Sequence, residues 1–269
     1  MAPRSILLAL VALALPPATA AQAEELRDFC PDRPGLGTPA CTIDAGRFAV
    51  ELGLADRTLD WSGDSRTDTI EAGQLLVRAG LTDSLEAQIG WTAFGRVRER
   101  DRATGAVASA SGIGDLMIAL RQNLANPDGS GFSAAVMPYA TLPTGGEAIG
   151  AGEWTAGLLL PVSYDLGGGL QLGVTAQAEA AADSDGDGRH LAYGAVAGLS
   201  LPLSKAVEAT VEVAATRDDD PSGHVTQWLA GVSAGWMAED GLQLDAGVNV
   251  GLGSPAPDLQ LYVGVARRF

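Results

Sequence analysis

From Ala45 onward the hydrophobic positions recur at every second residue, the spacing of strands with one apolar and one polar face. Leu170 to Ala180 is the clearest stretch. Its even-numbered residues are all apolar, and the odd ones are Gln171, Gly173, Thr175, Gln177 and Glu179. Between Leu242 and Gly251, Leu242, Leu244, Ala246, Val248 and Val250 oppose Gln243, Asp245, Gly247 and Asn249. Val207 to Ala215 puts Glu208, Thr210 and Glu212 on its polar face, and Leu85 to Ala93 sets Leu85, Ala87, Ile89 and Trp91 against Glu86, Gln88 and Thr92. Read this way, residues 45–269 predict about twelve strands, at 45–55, 68–80, 83–96, 111–124, 131–142, 152–166, 169–182, 190–201, 205–216, 224–237, 241–251 and 258–269. The second is irregular, because Ile70, Leu75, Leu76 and Val77 do not keep one parity; a bulge or a misplaced boundary is expected there.

The expected connections alternate in length. Short ones fall at Leu81-Thr82, 126–129, Gly167-Gly168, 202–204 and 238–240; longer polar ones fall at 56–67, 97–110, 143–151, 183–189, 217–223 and 252–257. An even strand number with alternating short turns and long loops is the plan of a bacterial outer-membrane barrel. The last residues, Leu261 to Phe269, form an alternating strand ending on an aromatic, which resembles the signal that outer-membrane assembly machinery reads. The fold expected is all-β, a closed antiparallel outer-membrane barrel of about twelve strands.

Composition sharpens this. Residues 1–23 read as a signal peptide: Arg4, an apolar run from Ile6 to Leu15, Pro16-Pro17, then small residues before Glu24. Ten apolar residues are too few to span a hydrocarbon core of ~30 Å. Export and strands together place the chain in the outer membrane of a Gram-negative cell. The formal charge of −16, or −17 without Arg4, argues against nucleic acid. It suits lipid-bilayer and lipopolysaccharide partners, with divalent cations bridging to phosphates. A β-sandwich also shows period two, but its facing sheets demand bulky side chains. Here the apolar residues are largely Ala, Val and Leu, with 35 glycines, which suits a thin shell.

Cys30 and Cys41 enclose a Pro- and Gly-rich stretch, and an exported chain makes a disulfide between them the default. Residues 24–44 are therefore expected to form a small disulfide-closed periplasmic segment preceding the barrel, 45–269.

Val136-Met137-Pro138-Tyr139-Ala140-Thr141-Leu142-Pro143-Thr144-Gly145 resembles a P-x-x-x-L-P-T-G strand-and-loop motif of the barrel family catalogued as "MetA-pathway of phenol degradation", often labelled transporter. The Cys30–Cys41 stretch, Val77 to Glu86 and Gly112-Ile113-Gly114-Asp115-Leu116 are similar to further segments of that family. Arg267 departs from it, since members often carry an aromatic before the penultimate residue. The resemblance implies an outer-membrane barrel passing small aromatic or other hydrophobic solutes, and it supplies no catalytic residue and no cofactor.

Chemistry-bearing candidates are few. Asp183, Asp185 and Asp187 begin like a calcium loop, but the twelfth position, Gly194, is not an acid; weak divalent binding or a plain acidic loop are the readings, and no metal site is assigned. His190 and His224, with Ser184 and Ser222 nearby, lack the surroundings of a hydrolase nucleophile, so no enzyme activity is expected. The strand register points Arg47, Glu51, Arg78, Glu86, Asp115, Arg121, Glu179, Glu208, Glu212 and Asp245 into the lumen. Seven acids face three arginines there. They could fill the barrel with salt bridges, or line a passive, cation-preferring pore.

Overall fold

The computed structural model describes residues 26–269 except Glu147; the signal-peptide reading of residues 1–23 lies outside the described residues. The strands are β1 (Phe48–Ser62), β2 (Ser65–Gly80), β3 (Leu85–Asp101), β4 (Val107–Gly112), β5 (Leu116–Ala125), β6 (Phe132–Leu142), β7 (Thr155–Gly167), β8 (Leu170–Ala182), β9 (Arg189–Pro202), β10 (Val207–Asp218), β11 (Val225–Glu239), β12 (Leu242–Gly251) and β13 (Leu259–Arg268). All pairings are antiparallel, and β1 pairs with both β2 and β13, which closes the sheet on itself. β4 and β5 lie end to end along β3, separated by Ile113–Asp115, and together make one stave. The barrel therefore has twelve.

Burial is inverted relative to a water-soluble protein. Arg78, Arg121, Glu51 and Glu86 are fully buried, whereas Leu172, Val174, Val211, Val213, Val232, Leu244, Leu261 and Val263 are exposed. Charged residues are almost never fully buried unless paired. Apolar side chains directed outward all round a closed sheet require lipid outside, and closure leaves no strand edge unsatisfied there. The protein is an outer-membrane barrel of a Gram-negative cell. Exposed aromatics mark both interfaces. Phe48 stacks on Phe269 with ring centroids 4.9 Å apart, and Phe132 pairs across from Tyr164, both near the short-turn end. Trp228 and Trp236 share the outer face of β11, eight residues or roughly 27 Å of strand apart. That is comparable with the ~25 Å apolar band of such barrels.

Two expected loops are strand instead. Residues 56–67 continue β1 and β2 to a two-residue turn at Gly63-Asp64, and most of 97–110 belongs to β3 and β4. Polar residues stay in strands there because neighbouring side chains satisfy them: Asp68 takes Arg57 from the adjacent strand at 2.8 Å and Arg66, two residues away on β2, at 3.0 Å. The parity break expected in the second segment is real. Gly73 has φ 71°, and the β1–β13 register shifts alongside it between Gly53 and Ala55. On β3 the inward face moves from Thr92 to Gly95, so residues beyond the break face opposite to a simple continuation.

Candidate functional site: a plugged lumen

The N-terminal segment, expected as a periplasmic segment preceding the barrel, is seated on lumen side chains. It enters at the short-turn end, where the Thr42 amide donates to Pro127 O at 3.0 Å and the Thr42 hydroxyl to Asp83 O at 3.0 Å. Cys30 and Cys41 are bonded to each other, their Cα atoms 6.5 Å apart. The physical reason for the location is hydrogen-bond supply. A Pro- and Gly-rich segment with no strand of its own leaves its amides unpaired, and the lumen wall presents carboxylates to accept them. The Asp32 and Arg33 amides donate to Glu51 at 2.9 and 3.0 Å, and those of Leu36 and Gly37 to Glu212 at 2.7 and 2.9 Å. The Thr38 amide reaches Thr175 Oγ1 at 3.0 Å, and that of Ile43 reaches Glu86 at 2.8 Å.

At the centre, Asp32 of the segment sits between two wall arginines. Arg121 grips it bidentately at 2.9 and 2.6 Å, and Arg78 Nη1 lies 2.9 Å from Asp32 Oδ1. Arg78 also forks onto Glu86, with both bonds at 3.0 Å, and donates to Glu51 at 3.1 Å. The same two guanidiniums donate to the carbonyls of Cys30 at 2.8 Å and Cys41 at 3.0 Å, so the disulfide loop is held at both cysteines. Arg33 reverses the polarity, reaching from the segment to Asp245 on β12 at 3.0 Å. Removal of one partner from such buried pairs is strongly destabilising, whereas the intact set roughly offsets its own desolvation.

Glu51, Arg78, Glu86, Arg121, Glu212 and Asp245 thus come together around the plug. Glu179 faces the lumen and accepts a hydrogen bond from the Tyr139 hydroxyl. Glu208 is on the same inward face of β10 as Glu212, nearer the short-turn end, and makes no ion pair among the described residues. Asp115, in the break between β4 and β5, accepts the Gly145 amide at 2.8 Å and that of Ala151 at 2.7 Å, folding loop 143–151 against the wall. Gly145 lies so close that a Cβ would stand 2.5 Å from Ile113 O, which explains the glycine of the L-P-T-G motif. Arg47 is a correction: β1 starts at Phe48, and Arg47 is exposed in the turn before it.

Sequence reasoning missed Asp32 and Arg33 as partners of the wall. It also missed Asn123, which donates to Ala40 O at 2.8 Å, and Gln243, which donates to Arg33 O at 2.7 Å. The available signal was the surplus of wall acids over arginines, which reflects backbone amides to be capped. On the long-loop side of the plug a cavity of about 140 Å³ remains, lined by Arg33, Asp56, Asn249, Gln260 and Tyr262 among others.

At the long-loop end, Asp183 is grouped with His190 and Asp220, their ligating atoms within 4.8 Å of one another. The weak candidate set with Asp185 and Asp187 is not assembled: Asp185 accepts the Asp187 amide within a tight turn. The two serine hydroxyls bond each other at 2.9 Å and both bond Asp220. His190 presents its two ring nitrogens to Asp183 and Asp218, at 2.9 and 2.8 Å, so no imidazole base faces either serine. Hydrogen bonds from the Ser222 hydroxyl and amide and the Ser184 amide pull the Asp220 carboxyl down to about 2. His224 is exposed beside Asp219.

A family model described as "MetA-pathway of phenol degradation" matches residues 31–269. The chain belongs to that family. No curated protein matches the sequence. Among solved structures, the family member is similar to an outer membrane channel from Pseudomonas putida F1, at 17% identity and a TM-score of 0.69 over 88% of this chain and 100% of that one. It also resembles the NanC porin (9% identity, TM-score 0.52, 82% of this chain and 98% of that one). The KdgM porin in complex with disordered oligogalacturonate is similar at 9% identity and TM-score 0.51, over 83% of this chain and 99% of that one. These likenesses are of fold: a channel- and porin-like barrel.

Proposed function

We propose that this protein is a passive channel for small solutes, aromatic and other hydrophobic compounds among them, and that residues 26–44 are its stopper. One observation carries the reading. The stopper adds no strand to the sheet and is seated on lumen side chains mostly by hydrogen bonds and ion pairs, which water can replace when it shifts. A packed apolar core would not be removable on those terms. Family membership supports the solute class through its phenol-pathway description. Short turns are periplasmic in bacterial barrels, so the stopper is read as engaging from that side. Flow would follow the gradient, with no energy-coupling group involved.

A filled lumen also favours a second reading, a structural or surface-interaction barrel. Planar-bilayer conductance and phenol uptake into proteoliposomes separate the two. The channel reading expects small currents from the wild type and markedly larger ones from a chain lacking residues 26–40. A folded barrel silent in both forms, with no phenol flux, would leave the structural reading standing.

A further inference from the structure

The chain is strongly acidic, yet six of its arginines gather on one outer wall at the long-loop end. Arg57 is on β1, Arg66 on β2, Arg96, Arg98 and Arg100 on β3, and Arg102 just beyond β3. The strand register sets Arg66 directly opposite Arg100, Asp68 opposite Arg98, and Ile70 opposite Arg96. Past the parity break at Gly73 these residues share the outward face with Trp61 and Ile70, both more than two-fifths exposed. Asp68 is the acid within ion-pair reach, and it takes Arg57 and Arg66. Among the described residues, Arg96, Arg98, Arg100 and Arg102 have no acidic partner. Like charges directly opposite on neighbouring strands destabilise a sheet, so this wall calls for an anion from outside the chain. A cleft of about 520 Å³ is already formed there, lined by Trp61, Arg66, Arg100 and Arg102.

Its height on the barrel identifies the anion. Ile70 stands level with Arg57 and Arg96, and Trp91 and Phe94 lie next towards the membrane on the same wall, all three exposed. Arg66, Arg98 and Arg100, beyond that apolar level, therefore stand at headgroup level in the leaflet that the long loops face. In a bacterial barrel that leaflet is the outer one, where lipopolysaccharide carries its lipid A phosphates. Guanidinium forks bind phosphate bidentately, and the Trp61 ring, with the Arg66 guanidinium 5.7 Å from its centroid, offers an interfacial aromatic beside them. We infer that the outer wall formed by β1, β2 and β3 is a docking site for a lipid A phosphate, bound directly by Arg66, Arg98 and Arg100. This replaces, on this wall, the cation-bridged contact that the overall charge suggests.

The test is native mass spectrometry of the full mature chain in detergent, titrated with bisphosphorylated lipid A. The inference expects stoichiometric binding that survives EDTA. It expects a loss of about tenfold or more in affinity for R66Q/R98Q/R100Q, since each charge-assisted bond contributes appreciably. R66K/R98K/R100K should recover part of the binding. R267Q, at the opposite end of the barrel, should bind as wild type does. Heat-modified migration on a gel confirms that each variant is folded. Binding abolished by EDTA in the wild type would mean cation bridging and overturn the proposal. So would equal affinity of wild type and triple Gln variant, or displacement of lipid A by millimolar inorganic phosphate, which would mark a free-phosphate site.

Discussion

Asp32→Asn should loosen the stopper without unfolding the barrel. The aspartate is the shared acceptor of Arg121 and Arg78, with contacts of 2.6 to 2.9 Å, and both guanidiniums are fully buried. Taking one partner from a buried ion pair costs about 3–5 kcal/mol, because the remaining charge is left uncompensated. Asparagine keeps one acceptor oxygen, which recovers about 1 kcal/mol. Glu86 also remains 3.3 Å from Arg121, so the lower part of the range applies. A net loss of about 3 kcal/mol raises the population of the unseated stopper roughly a hundredfold. Hydrogen exchange reads this directly, since the amides of Asp32, Arg33, Leu36, Gly37 and Thr38 are protected only while seated. They should exchange roughly a hundredfold faster, while the amides of β8 to β13 keep their rates. Adding Arg121→Gln should return part of the protection by removing the orphaned charge. Unchanged exchange at the five amides would refute the reasoning, and so would uniform acceleration across the strands.

Two further expectations follow from the lipid face and the outer loops. Val174→Arg, facing lipid at mid-strand, should lower unfolding stability in lipid vesicles by about 2–4 kcal/mol, with Gln177→Arg on the lumen side of the same strand costing far less; equal costs would mean that the faces are misassigned. Asp220 has a folded-state value near 2 against an ordinary 3.8, so its tie between the 183–188 and 219–224 loops is fully present above about pH 4 and lost as the pH falls towards 2. Acid-active protease should therefore clip these loops slowly at pH 4 and readily near pH 2, and loosening already complete at pH 4 would contradict the assignment.

The sequence by itself determined the number of staves and the faces of those that alternate regularly. Lipid outside the barrel accepts only apolar side chains, and strand geometry turns every second residue outward. A local alternation such as Leu170 to Ala180 therefore reports its own orientation without knowledge of its neighbours. What fills the lumen was decided by tertiary structure. The stopper has no periodicity, because it forms no strand, and its partners are remote in the chain. Leu36 meets Glu212 across 176 positions and Arg33 meets Asp245 across 212. The acids on the wall were legible, but that they accept backbone amides of residues 32–43 depends on where the closed barrel puts them. The same holds for the arginine wall. Arg66, Arg98 and Arg100 read as loop residues, because charge in a strand survives only when the partner strand or an outer surface accommodates it. Their outward direction was set by the kink at Gly73, a backbone event that the side-chain pattern marks but does not orient.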